Sequence, residues 1–178
     1  PVYLTAYFAM VLFYMLPTQL PYLIIEKLHG EPSTIGFVIA VAMFFNAMTS
    51  RQYAKLKARF SYRHIYIITF IFFGTGLFII SQASSIAQLF YSTVFIGTGF
   101  GLILVNTNSW FLAKVPAHKR GKASGILASS FFLGQFSSPL LFEPIVKNYG
   151  IQGLFLMVSG IAMAISLSLL LKGKLSKQ

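Results

Sequence analysis

The chain has no cysteine and very little acid, with three Asp+Glu against 14 Lys+Arg in 178 residues. Without cysteine there is no disulfide framework, no thiol nucleophile and no cysteine-ligated zinc. Charge of either sign is scarce. Only 10% of residues are charged, where a soluble chain carries about 25%. Hydrophobic residues reach 56%, and the mean hydropathy is +0.75. A surface built from this composition would not stay wet, so an ordinary soluble domain is excluded.

Catalytic and metal chemistry also lack their parts. His29, His64 and His118 fall at segment ends or in loops, far apart in sequence, which is no metal-ligand spacing. Serines such as Ser129, Ser130, Ser137 and Ser138 have no His, Lys or Asp near them within an apolar segment to act as base. They read instead as small residues that let helix backbones approach. The expectation is no enzyme and no cofactor.

What is present is long uncharged sequence. Residues 1–25, 32–50, 65–113, 123–142 and 148–171 hold no Asp, Glu, Lys or Arg. A helix needs about 20 apolar residues to cross the bilayer core. The third stretch would run to about 73 Å as one helix at 1.5 Å per residue. It must therefore turn, and Ser81-Gln82-Ala83-Ser84-Ser85 is its polar interruption. Strands of a barrel would alternate apolar and polar residues, which Phe37-Val38-Ile39-Ala40-Val41-Ala42-Met43-Phe44-Phe45 does not. The expected fold is an all-α membrane protein, one bundle over 1–178 with six spans near 3–25, 33–51, 64–81, 86–113, 123–143 and 153–171. The first span has no basic flank and is too long for a cleavable signal peptide. A chain that opens at Pro1 reads as part of a longer one.

The basic residues sort by side. Arg51, Lys55, Lys57, Arg59 and Arg63 follow the second span, Lys114, Lys119, Arg120 and Lys122 the fourth, and Lys172, Lys174 and Lys177 the sixth. Only Lys27 and Lys147 fall on the other side, with Glu26, Glu31 and Glu143. Cytoplasmic loops carry the Lys/Arg excess, so both termini are expected in the cytoplasm. The net charge of +11 then reflects insertion and contact with anionic lipid headgroups. Nucleic acid is not an expected partner, because the basic residues are divided among short loops with no binding fold between them. Lys55, Arg59 and Arg63 recur every four residues beside an apolar stripe of Tyr53, Leu56 and Phe60. This pattern predicts a short helix lying along the interface.

Polar groups inside the spans are few, and each is a candidate site residue. Gln19 lies between Pro17 and Pro21, where missing amide donors predict a break facing a cavity or a neighbouring helix. Asn46, Asn106, Asn108 and Gln135 follow in later spans, with Asn106 and Asn108 on different faces. Tyr3, Tyr7 and Tyr14 share one face of the first span, as a cavity wall or as packing. Trp110 reads as an interfacial anchor. Gly97 and Gly101, with Gly99 between them, and again Gly121 and Gly125, predict close helix crossings, with a hinge as the compatible alternative. No carboxylate sits near any span's centre, and Glu143 is an outer-end acid.

The loops carry a resemblance. Ala54-Lys55-Leu56-Lys57-Ala58-Arg59-Phe60-Ser61-Tyr62-Arg63 is similar to the Gly-x-Leu-x-Asp-Arg-x-Gly-Arg-Arg signature of the major facilitator superfamily. Leu56, Arg59 and Arg63 match. Ala54, Ala58 and Ser61 stand for Gly, Asp and Gly, a degraded form typical of the second half of such proteins. Pro116-Ala117-His118-Lys119-Arg120-Gly121-Lys122-Ala123-Ser124-Gly125 resembles the family's Pro-x-x-x-Arg-Gly-x-Ala-x-Gly pattern. Leu133-Gly134-Gln135-Phe136-Ser137-Ser138-Pro139 and Leu16-Pro17-Thr18-Gln19-Leu20-Pro21 look like bacterial drug- or sugar-efflux members.

The resemblance implies the C-terminal six-helix half of a secondary transporter, in a bacterial inner membrane, that rocks against an N-terminal half and exports a small molecule. Protons are the coupling ion it suggests. The candidate lining of such a transporter's cavity is the set of polar and aromatic span residues Tyr7, Tyr14, Gln19, Asn46, Asn106 and Gln135, and the loop motifs imply a cytoplasmic gate made of Lys55, Arg59, Arg63, Arg120 and Gly121. The missing acid at Ala58 removes one partner of that gate. The competing expectation is a six-span structural or assembly subunit with no substrate path.

Overall fold

The computed structural model describes residues 2–175, so Lys177 lies outside it. Every regular element among the described residues is helical. α1 spans Val2–Tyr22 and runs into a π-helical turn at Leu23–Lys27. α2 spans Pro32–Arg59, α3 Tyr62–Ser81 and α4 Ile86–Lys114. After a 3-10 turn at Ala117–Lys119, α5 spans Arg120–Leu175. Five of these helical segments are long and apolar enough to cross a membrane.

α5 is 56 residues long but is not one rod, because Gly150 adopts φ 74° and ψ 168° within it. Only glycine takes that conformation without strain. The expected loop between residues 143 and 153 is therefore reduced to one glycine joint. The arm before Gly150 runs parallel to α1, with Gly134 against Tyr7 and Ser138 against Val11. The arm after it runs antiparallel to α3, with Ser159 against Gly74 and Ser166 against Ile67. Since α1 and α3 both run antiparallel to α4, the two arms of α5 run in opposite directions.

The prolines do not interrupt α1, which continues through Pro17 and Pro21. The departure from α geometry falls just beyond them, where the Leu28 amide donates to the Leu23 carbonyl at 3.1 Å. α2 also differs from expectation. Rather than stopping near residue 51 and giving way to a separate interfacial helix, it continues to Arg59. Its Tyr53 is buried against Ile65 and Leu102, with Leu56 packed beside it. The Tyr53 and Leu56 part of the apolar stripe is thus taken up by α3 and α4 rather than by lipid, while Phe60 stays exposed.

Lipid offers no hydrophobic drive for helices to associate, so close packing and interhelical hydrogen bonds must supply it. α4 does this with glycine on two sides. A Cβ at Gly97 would overlap the Ala42 carbonyl of α2, and one at Gly101 would come within 2.5 Å of the Asn46 carbonyl. Gly99, on the opposite face, lies against the backbone of Thr69 and Phe73 in α3. Gly121 and Gly125 correct the expectation of a second crossing, since a Cβ at either would meet nothing within 4 Å. Gly134 makes the close approach to α1 instead.

Serine adds the polar part. Ser138 donates to the Val11 carbonyl at 2.8 Å and Ser159 to the Gly74 carbonyl at 2.8 Å. Ser129, Ser130 and Ser137 instead donate back to carbonyls of their own helix. The basic segments meet at one end of the bundle, where Tyr62 reaches Ser109 and Arg63 reaches Leu169 and Leu170. Glu26 and Lys147 line one cleft at the opposite end.

Candidate functional site

A cavity of about 420 Å³ opens between α1, α2 and α4, and Gln135 reaches it from the first arm of α5. Its walls are apolar. Phe13 of α1 stacks on Phe100 of α4 with ring centroids 3.4 Å apart and planes 11° from parallel. Asn46, Thr93 and Gln135 are the polar side chains on its surface, and no charged residue lines it.

The hydrogen bonds already made limit what those three can offer a ligand. The Thr93 hydroxyl donates its one proton to the Phe90 carbonyl at 2.7 Å, so it can only accept from a ligand. Asn46 accepts from Ser50 through Oδ1 at 3.3 Å. Gln135 donates through Nε2 to the Met10 sulfur at 3.7 Å, a soft and weak acceptor. The Asn46 Nδ2 donor and the Gln135 Oε1 acceptor are left for a ligand. The cavity therefore suits an uncharged, mostly apolar molecule with hydrogen-bonding groups, because a bare charge here would be desolvated without a partner.

The other expected cavity residues lie elsewhere. Gln19 shares α1 with Leu16, Pro17 and Leu20, which line the central cavity, but its own side chain lines a second cleft on the other face. Tyr7 is half-buried with its ring edge-on to Phe8, and Tyr14 is exposed. Tyr3 packs on Phe111. Asn106 is fully buried and both ends of its amide are used. It accepts from the Tyr53 hydroxyl at 3.0 Å and donates to the Tyr62 carbonyl at 3.0 Å. Asn106 is a tie between α2, α3 and α4 rather than a cavity wall. Asn108, two residues on, is exposed and bonds back to Leu104.

The loop-motif residues divide into two kinds. Lys55 and Arg59 are exposed and border an open groove with Gln52 and Phe60. Arg63 donates to the Leu169 and Leu170 carbonyls, joining the start of α3 to the second arm of α5. Arg120 donates to the Val115 carbonyl at 3.3 Å and the Leu112 carbonyl at 3.5 Å. It caps the end of α4, whose last carbonyls have no helical partner. Gly121 faces open space. Lys57 sits 4.2 Å over the Tyr62 ring and Lys114 sits 4.5 Å over Trp110. Glu143 pairs with Lys147 at 2.8 Å on an exposed helix turn. The Phe13–Phe100 stack was not foreseeable. Each is one of 19 phenylalanines, and nothing local marks which two will meet.

A bundle of apolar helices long enough to cross a bilayer, packed around a neutral cavity, defines an integral membrane protein. The chain belongs to the Major Facilitator Superfamily, whose profile matches residues 2–177. An uncharacterized MFS-type transporter of Methanocaldococcus jannaschii is 25% identical over 123 residues, covering 69% of this chain and 32% of that protein. The riboflavin transporter RibZ of Clostridioides difficile is 24% identical over 149 residues, covering 82% of this chain and 33% of that protein. This chain thus spans about a third of the length of these curated relatives. The crystal structure of a POT family transporter in complex with 5-aminolevulinic acid has the same fold. It superposes with a TM-score of 0.77 at 20% identity, covering 96% of this chain and 36% of the other. These relatives are transporters and not enzymes.

Proposed function

We propose that the chain is the C-terminal half of a secondary transporter that exports small, uncharged amphipathic molecules by alternating access. The observation that carries this is the neutral cavity between α1, α2 and α4, lined by two amides with hydrogen-bonding capacity to spare. Counting the two opposed arms of α5 separately supports six crossings, with the first and last helices ending on the same side. The basic residues support that side as the cytoplasmic one, in a bacterial inner membrane on this reading, where Lys55 and Arg59 would meet anionic lipid or the gate of an N-terminal half. Similarity to a riboflavin transporter supports a neutral, ring-bearing substrate.

With no titratable side chain in the cavity, a proton that drives transport binds elsewhere in the complete protein. Uptake of a neutral fluorescent amphipath into inside-out vesicles, with and without a pH gradient, tests the reading. Export requires accumulation that Asn46→Leu and Gln135→Leu reduce. No accumulation under any gradient would return the chain to the class of structural or assembly subunits.

A further inference from the structure

α1 separates two chemically opposite spaces. Behind the central cavity, a cleft of about 630 Å³ opens between α1 and the first arm of α5, near the end away from the basic loops. Two of the chain's three carboxylates, Glu26 and Glu143, line it, together with Lys147. The Glu143–Lys147 pair at 2.8 Å is internally neutral. Glu26 has no ion pair among the described residues, so the cleft carries one uncompensated negative charge in a chain of net charge +11.

Acids at a rim would mean little alone, but the floor of the cleft adds a second observation. Gln19 lines it, is only 8% exposed, and makes no hydrogen bond among the described residues. Its amide atoms are not sealed from the cleft, so a largely buried side chain presents an unpaired amide to whatever fills that space. Tyr22 stands beside it with its ring exposed, and Val146 and Ile151 form an apolar wall.

We propose that this cleft is a second small-molecule site, one that takes a small organic cation with a protonated amine and an apolar body. The ammonium donates to the Gln19 Oε1 and the Glu26 carboxylate, within reach of the Tyr22 ring face. The apolar body lies on Val146 and Ile151. An inorganic divalent ion does not fit, since no group of three or more His, Asp or Glu that would hold a metal occurs among the described residues. An anion is opposed by Glu26. The site is independent of the export reading, because it stands on a separate cleft and is tested by binding alone.

The test is calorimetric titration of the purified protein in nanodiscs with phenethylamine at neutral pH. Its N-acetyl derivative and 3-phenylpropionate serve as neutral and anionic counterparts. Saturable binding of the amine only is expected, weakened roughly tenfold or more by Glu26→Gln or Gln19→Leu. Glu26 lies in an exposed turn, so its variant keeps the fold. Because the chain has no cysteine, Val146→Cys gives a single labelling site in the wall, and the amine should protect it from a thiol reagent. Equal binding of all three probes, unchanged affinity in Glu26→Gln, loss of binding in Asn46→Leu, or absence of protection would each overturn the proposal.

Discussion

The hydroxyl of Tyr53, near the end of α2, donates to Oδ1 of Asn106 in α4, and both groups are buried. The same amide donates to the Tyr62 carbonyl at the start of α3. One side chain thus holds the basic ends of three helices in register. The Tyr66–Thr107 hydrogen bond at 2.9 Å lies one turn deeper.

Asn106→Leu strands both the Tyr53 hydroxyl and the Tyr62 carbonyl. It should cost about 1–3 kcal/mol, against about 1 kcal/mol for Tyr53→Phe, which removes one bond and leaves the amide another. Thermal unfolding in detergent measures both. Equal stability of Asn106→Leu and the unaltered protein would remove the tie.

The glycines separate into two classes by what their absent Cβ would meet. Gly97→Ala and Gly134→Ala must push α4 from α2 and α5 from α1, and each should destabilise by about 1–3 kcal/mol. Gly121→Ala and Gly125→Ala enter open space on a helix and should be neutral or stabilise by up to about 1 kcal/mol. The same unfolding assay ranks the four.

Arg120→Ala should lower stability by about 0.3–1 kcal/mol through loss of the α4 cap. Arg63→Ala should free the second arm of α5, read as faster amide exchange around Leu169 and Leu170. Lys55→Ala and Arg59→Ala, both exposed, should stay within about 0.5 kcal/mol of the unaltered protein. Any effect they have on vesicle uptake then belongs to the transport cycle.

Asn46→Leu and Gln135→Leu should each weaken binding of a neutral amphipath by about tenfold, the scale of one hydrogen bond lost in a dry site. Tyr14→Phe should change nothing, because Tyr14 lies outside the cavity. A fluorescence titration with an environment-sensitive neutral dye separates the three variants.

The sequence by itself determined the helical membrane fold, the turn at Ser81–Ser85 and the gathering of basic residues on one side. These follow from uncharged length and loop charge, which are local quantities. Asn46 and Gln135 could be singled out as cavity residues for a similar reason, since polar groups within apolar spans are rare enough to stand out. Tertiary structure decided what each group faces. Gln19 and Pro17 are two residues apart on one helix, yet they line different spaces. Asn106 looked equivalent to Asn46 in sequence, but Tyr53 and the Tyr62 carbonyl occupy its amide. Gly97 and Gly121 open similar spacings, and only the first has a neighbouring helix close enough to require them. The spans could be read one at a time, but a side chain's role depends on which helix packs opposite it, and that arises only when the helices pack together.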